Sequence, residues 1–292
     1  MRLTLGNHYG GNATALAADK EFVYAALETP EAGIGFCRLA IDTGKEVQFK
    51  RVEEGKIVNE IDHVCEPKPG SRPASVVTER PGTPNNFDAS SAGSSLRGCA
   101  VDSANLYISS YWNGKIYVCN KSTAANIKTI SVPEVAGIAS PADGHLLAIS
   151  AGAVVKIDTV SGAIEPFISK SQLTAPLGIA IGPDGNIYIS ERGSAMRVSV
   201  FSPDGKKIGI IGKDGGRPVS GVYDQNGMLM PWGLAVDNTG CLWVAEQDFC
   251  PRRISVWRVD GKFDREFIGA STYAATGGAI NPDDPTMAID TG

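Results

Sequence analysis

An all-β fold of four-stranded antiparallel units set radially around one axis, a β-propeller, is what this sequence predicts, and three observations predict it. The stretch PLGIAIGPDGNIYISERGSAMRVSVFSPDGKK at 176–207 returns at 231–262 as PWGLAVDNTGCLWVAEQDFCPRRISVWRVDGK. Pro176 then pairs with Pro231, Gly178 with Gly233, Ala180 with Ala235, Gly185 with Gly240 and Glu191 with Glu246. After one inserted residue, Val200-Phe201 meets Val256-Trp257, and Asp204-Gly205 meets Asp260-Gly261. Second, Gly98, Gly137, Gly178 and Gly233 open successive copies, with a period of roughly 40 residues that suits four short strands per unit. Third, 34 glycines and 17 prolines supply the turn chemistry that many short strands need.

Each element of the unit has a local cause. The first strand (178–181) is small and apolar, because inner strands of all units converge on the axis and only Gly and Ala allow so close an approach. A Pro-Asp-Gly or Asn-Thr-Gly turn leads to a β-rich second strand at 187–189 or 242–244. The third strand (198–201) alternates and ends in Asp-Gly, a hairpin signal, and a fourth follows at 207–211 or 263–268. Large aromatics (Tyr107, Tyr188, Phe201, Trp243, Trp257) fall on the later strands, where the space between units widens.

Weaker copies lie at 96–121, 135–162 and 13–47. Five recognisable blades are therefore expected, at 9–55, 96–132, 133–173, 174–228 and 229–270, within a single domain spanning 1–292. From Ala15 to Gly98 is about two periods. Residues 56–95 are nonetheless expected to form an insertion loop, since Pro, Ser, Gly and Asn dominate there without alternation. Residues 271–292 supply two strands of a partial sixth blade, and MRLTLG at the start (1–8) reads as its fourth strand. Pairing the two ends would remove exposed sheet edges. The closing blade then lacks a third strand, which is the expectation for a piece of a longer, multidomain polypeptide.

Composition excludes several classes. With 42% hydrophobic and 20% charged residues the chain is that of a soluble globular protein, and a net charge of −5 argues against nucleic acid. No apolar run is long enough for membrane insertion, and the N-terminus has no signal-peptide core; the compartment stays open. Cys99 and Cys119 lie in strand-like runs, where a thiol acts as a small buried hydrophobe. Cys241 and Cys250 flank one expected hairpin and form the single pair worth testing for a disulfide. No Cys-x-x-Cys spacing occurs, and His8, His63 and His145 do not converge, so a zinc site is not expected. Nucleophile elbow, Walker loop and dinucleotide fingerprint are all missing.

Two kinds of carboxylate recur. Asp19, Asp102 and Asp237 end first strands and are expected to bond their own turns. Glu191 and Glu246 follow second strands, on the face where the loops between second and third strands gather. The same face should carry Tyr111, Trp112, Asn113, Arg192, Arg197, Asp248, Arg252 and Arg253. Trp232, His8 and Tyr9 should reach it on loops from preceding fourth strands. Aromatics beside arginines and carboxylates on a rigid ring are what a binding face needs. The plainer alternative is a set of solvated loops in which Arg197 or Arg253 simply pairs with Glu191 or Glu246.

The two best copies resemble the NHL-repeat family of β-propellers. Its pattern runs proline-x-glycine, aspartate-glycine, an apolar-aromatic strand, a basic residue opening the third strand, then aspartate-glycine-lysine. Arg197, Arg253 and Lys115 match the basic position, and the resemblance covers roughly 96–270. The resemblance implies a six-bladed propeller of a family that binds very varied partners; with the face described above, the expectation is a non-catalytic binding or scaffolding module without a cofactor, recognising a protein, peptide or glycan. Six-bladed relatives of the sugar-lactonase type hold a divalent ion with Glu, Asp and Asn side chains. The alternative expectation is thus a metal-dependent hydrolase or lyase, with calcium or another divalent metal on Glu191 or Glu246.

Overall fold

The computed structural model describes residues 12–29, 33–45, 47, 49, 51–53, 56–58, 96–111, 114–123, 126–141, 144–218, 222–246, 253–269, 278–281 and 284–290. It is an all-β propeller whose sheets each follow chain order, every neighbour antiparallel. Blade one contains β1 (Asn12–Ala18), β2 (Phe22–Thr29) and β3 (Gly33–Ala40). The chain then returns beside β3, where Val47 N–H donates to the Arg38 carbonyl (2.9 Å), taking a fourth strand's place. A short hairpin, β4 (Arg51–Glu53) with β5 (Lys56–Val58), spans the expected border with the insertion.

Four complete blades follow. Blade two is β6 (Leu96–Val101), β7 (Asn105–Ser110), β8 (Lys115–Asn120) and β9 (Asn126–Ser131). Blade three is β10 (Val135–Ala139), β11 (His145–Ser150), β12 (Ala153–Asp158) and β13 (Ile164–Ile168). Blade four is β14 (Pro176–Ile181), β15 (Ile187–Glu191), β16 (Arg197–Phe201) and β17 (Lys207–Ile211). Blade five is β18 (Pro231–Val236), β19 (Leu242–Glu246), β20 (Arg253–Trp257) and β21 (Phe263–Ile268). Last come β22 (Gly278–Asn281) and β23 (Asp284–Asp290), paired with each other.

The first-strand glycines explain how blades meet. In each complete blade the pairing of first and second strands slips at the glycine, for example between Leu96 and Gly98 and between Pro176 and Ile179. Such a bulge bends the strand and carries its backbone against the next blade. A Cβ on Gly98 would lie 2.8 Å from the Ala136 carbonyl oxygen, one on Gly137 2.7 Å from that of Leu177, and one on Gly178 2.0 Å from that of Trp232. Any side chain at these three positions would drive the blades apart. The neighbouring serines seal the contact, with Ser109 Oγ donating to the Ala136 carbonyl (2.6 Å) and Ser190 Oγ to that of Trp232 (2.8 Å).

Outward from the axis, alternation along each strand fills the gaps between blades. Leu106 and Ile108 of β7 pack toward blade one with Tyr24, Cys99 and Cys119, while Tyr107 packs toward blade three with Ile138 and Leu146. Burial pushes the thiols of Cys99 and Cys119 up to about 12, so both behave as the expected apolar filler. The flank of blade five differs: Gly233, Ala235 and Ala245 are exposed, and Ile254 and Phe267 are 43% and 50% exposed. On the far side of the series Leu16 of β1 is 60% exposed.

Candidate functional site

The turn aspartates behave as their spacing predicts. Asp102 Oδ1 accepts the Ala104 and Asn105 N–H groups (both 2.7 Å), and its Oδ2 accepts the Tyr107 hydroxyl (2.6 Å). Asp19 does the same with Glu21, Phe22 and Tyr24, and Asp237 with Thr239, Cys241 and the Trp243 indole N–H (2.9 Å). Each clamp fastens a turn to the aromatic side chain of the following strand. Burial raises the Asp19 carboxyl, yet the Glu21 and Phe22 amides outweigh it and hold the group at about 2. Thr239 and Trp243 hold Asp237 at about 2 as well. The Tyr107 hydroxyl is pushed up to about 12 by burial and by Asp102.

Glu191 and Glu246 lie at the other rim and point inward. Glu191 is fully buried; its Oε1 accepts the Thr174 N–H (2.6 Å), and its Oε2 accepts Arg197 Nε (3.3 Å) and the Ser199 hydroxyl. Glu246 repeats the set: Leu229 N–H to Oε2 (2.8 Å), Arg253 Nε to Oε1 (2.6 Å) and Ser255 Oγ to Oε1 (3.3 Å). The hairpin register creates both, since Glu191 stands opposite Arg197 and Glu246 opposite Arg253. What the carboxylates do here is tie the loop before each first strand to the third strand of the same blade.

Five non-glycine residues among those described have positive φ, and all sit on this rim: Glu134 (47°), Ala151 (48°), Ala175 (42°), Met196 (45°) and Met230 (52°). Ala175 and Met230 directly follow the amide donors Thr174 and Leu229, so the left-handed turn aims those N–H groups at the glutamates. In blade three the donor position is Pro133, which has no N–H. There Ser150 replaces glutamate, and its hydroxyl donates to the Pro133 carbonyl instead (2.7 Å).

Arg192 and Arg253 are also internal. Arg192 Nε donates to the Pro231 carbonyl (3.0 Å), its Nη2 to that of Met230 (3.1 Å), and its guanidinium lies 4.8 Å from the Trp232 ring centre, joining blades four and five. Arg253 donates to Glu246, the Tyr223 hydroxyl, Glu266 and the carbonyls of Gln225 and Gly227. Arg217, which sequence reasoning did not single out, is a second partner of Glu246 (3.2 Å). It comes from the long loop after β17, and no local pattern announces that contact. Arg197 and Trp232 are half-buried, and Arg197 reaches Asp214 as well (2.5 Å). Tyr111 is half-buried beneath the Arg97 guanidinium (3.7 Å).

Trp112, Asn113, Asp248, Arg252, Cys250, His8, Tyr9 and His63 lie outside the described residues. Cys241 is a free thiol. His145 stands 4.0 Å from Asp158 at the opposite rim. Among the described residues no three His, Cys, Asp or Glu side chains gather as a metal site needs. No described helix is long and apolar enough to cross a membrane.

The same rim also holds a pocket of about 270 Å³ between blades two, three and four, lined in part by Arg97, Tyr111, Glu134 and Lys170. Sequence reasoning found Tyr111 but not the other three, because Glu134 and Lys170 sit in loops joining blades and Arg97 in a strand read as small and apolar.

No family model matches the chain, and no curated protein matches it. Solved structures do. A chain of a nidogen/laminin complex aligns with a TM-score of 0.55 at 12% identity, covering 88% of this chain and 80% of that one. A gluconolactonase from Xanthomonas campestris gives 0.55 at 13%, covering 90% and 77%. A catalytically inactive virginiamycin B lyase from Staphylococcus aureus, solved with quinupristin, gives 0.52 at 14%, covering 91% and 73%. At such identities the likeness shows the fold, which in these neighbours serves both assembly and catalysis.

Proposed function

We propose that this chain is an NHL-like propeller acting as a non-catalytic binding or scaffolding module, which recognises a protein, peptide or glycan on the rim bearing Tyr111, Trp232 and Arg197. The observation that carries this reading is the engagement of Glu191 and Glu246. Both oxygens of each accept internal donors, three of them the guanidiniums of Arg197, Arg253 and Arg217, with side chains 17%, 0% and 1% exposed. Carboxylates so held stiffen loops, and stiff loops carrying aromatic and cationic side chains make a preorganised recognition surface. The nidogen/laminin neighbour shows the fold within a protein complex, which agrees with this use.

The test is selection of binders from a phage-displayed peptide library and from a glycan array, repeated with Trp232→Ala. Binders that weaken at least about tenfold with the variant, measured well below a melting temperature that the loss of the Arg192–Trp232 contact lowers, support the reading. Ligands that the protein cleaves, in a reaction that stops on calcium removal, would establish the hydrolase or lyase reading instead.

The ring is proposed to have six blades. Gly233 occupies the place that receives the next blade in the three preceding copies, and Gly278 opens β22 as Gly233 opens its own copy. The hairpin of β22 and β23 is the proposed occupant of that flank, and other domains of a longer polypeptide are natural neighbours of such a module.

A further inference from the structure

Three of the five described non-glycine residues with positive φ, namely Glu134, Ala151 and Ala175, line the pocket between blades two, three and four. The lining combines apolar side chains, Ile149 and Leu177 among them, with the cationic Arg97 and Lys170. Arg97 is 6% exposed, with its guanidinium carbon 3.7 Å from the Tyr111 ring centre. Lys170 starts a single turn of 3-10 helix (Lys170–Gln172) and is exposed. Its stem crosses Gly152, where a Cβ would sit 3.2 Å from Lys170 Cε, and the side chain lines the pocket.

We propose that this pocket binds a carboxylate flanked by an apolar side chain, presented by a peptide, with Arg97 and Lys170 as its cationic contacts. The Arg97 guanidinium, buried against Tyr111, makes the pocket floor electropositive, and the Lys170 ammonium adds a point charge, which together favour a carboxylate. The volume suits one or two amino-acid residues. Glu134 at the mouth, exposed, repels a second negative charge, which disfavours polyphosphates and other polyanions. The proposal rests on the binding-module reading and supplies its ligand chemistry.

The experiment titrates the full chain calorimetrically with four probes: N-acetyl-Leu-Asp-Leu amide, its Asn counterpart, N-acetyl-Leu-Leu with a free C-terminus, and the corresponding amide. At least one acidic probe is expected to bind tenfold or more tighter than its neutral partner, and which one does so tells a side-chain carboxylate from a terminal one. Lys170→Gln, on an exposed side chain, is expected to weaken that probe about tenfold without altering the melting temperature, and Glu134→Gln to strengthen it several-fold. Backbone amide shifts at Ala151 and Ala175 would place the probe. Equal binding of acidic and neutral probes, no binding of either, or an unchanged affinity in Lys170→Gln overturns the proposal. If that happens while library-selected binders still depend on Trp232, the pocket assignment fails and the module reading stands. Calcium-dependent cleavage of ligands would remove the module reading itself.

Discussion

Blades four and five are the two best copies of one repeat, yet their outer surroundings differ. Gly178 has the Trp232 carbonyl 2.0 Å from where a Cβ would stand, whereas among the described residues Gly233 meets only Ala245 Cβ, at 3.6 Å. Glu191 holds one arginine and Glu246 holds two. The difference teaches that the repeat encodes the shape of a blade, while its neighbour and its connecting loop decide how heavily each position is loaded. The longer loop before blade five brings Arg217, Tyr223, Gln225 and Gly227 to a lock that blade four builds with fewer parts.

The largest effect is expected at the heavier lock. Arg253→Ala leaves the buried Glu246 with fewer donors and removes five hydrogen bonds to the 223–266 region, so it should lower unfolding free energy by about 3–5 kcal/mol. Glu191→Gln keeps the volume and several contacts of the lighter lock, and about 2 kcal/mol is expected in the same chemical denaturation experiment. Equal losses would erase the distinction between the two locks.

Next come the glycines. Gly178→Ala forces a backbone separation between blades four and five and should destabilise by about 3 kcal/mol. Gly233→Ala should be milder, about 1–2 kcal/mol, provided a closing blade presses on that flank. A change near zero would leave the flank open and sink the six-bladed reading.

The smallest effect concerns acid. Asp19 and Asp237 titrate in the fold at about 2, below their ordinary 3.8. Depressed carboxyls stabilise the fold fully above the unfolded value, and that contribution disappears as pH falls through 3.8 toward 2. Asp237→Asn should flatten part of this acid limb in melts recorded across that range, while leaving the neutral side of the curve almost level.

Much of the fold was legible because it rests on local rules. Small residues at inner strands, Asp at turns and thiols inside alternating runs each follow from short-range pattern, and the structure places them accordingly. The glutamates were legible by position but not by direction. A carboxylate after a second strand can face solvent or fold back on the strand opposite, and the choice follows from register: Glu191 opposite Arg197, and Glu246 opposite Arg253. The plainer alternative, arginine simply pairing with glutamate, describes these two contacts. Arg217, Glu134 and Lys170 were not legible, because their roles depend on how loops from different blades meet. Pro133 shows the same point from the other side: without an N–H to offer, its blade carries serine where its neighbour has glutamate.

The role of the buried glutamates is measured most directly by melting the wild type and Glu191→Gln, each with excess calcium and with a chelator. Glutamates that serve as loop fasteners predict a lower melting temperature for the variant by the same amount in both conditions, and a wild type indifferent to the chelator. A wild type that loses several degrees on chelation, with Glu191→Gln insensitive to calcium, would make the residue an ion ligand and contradict the account.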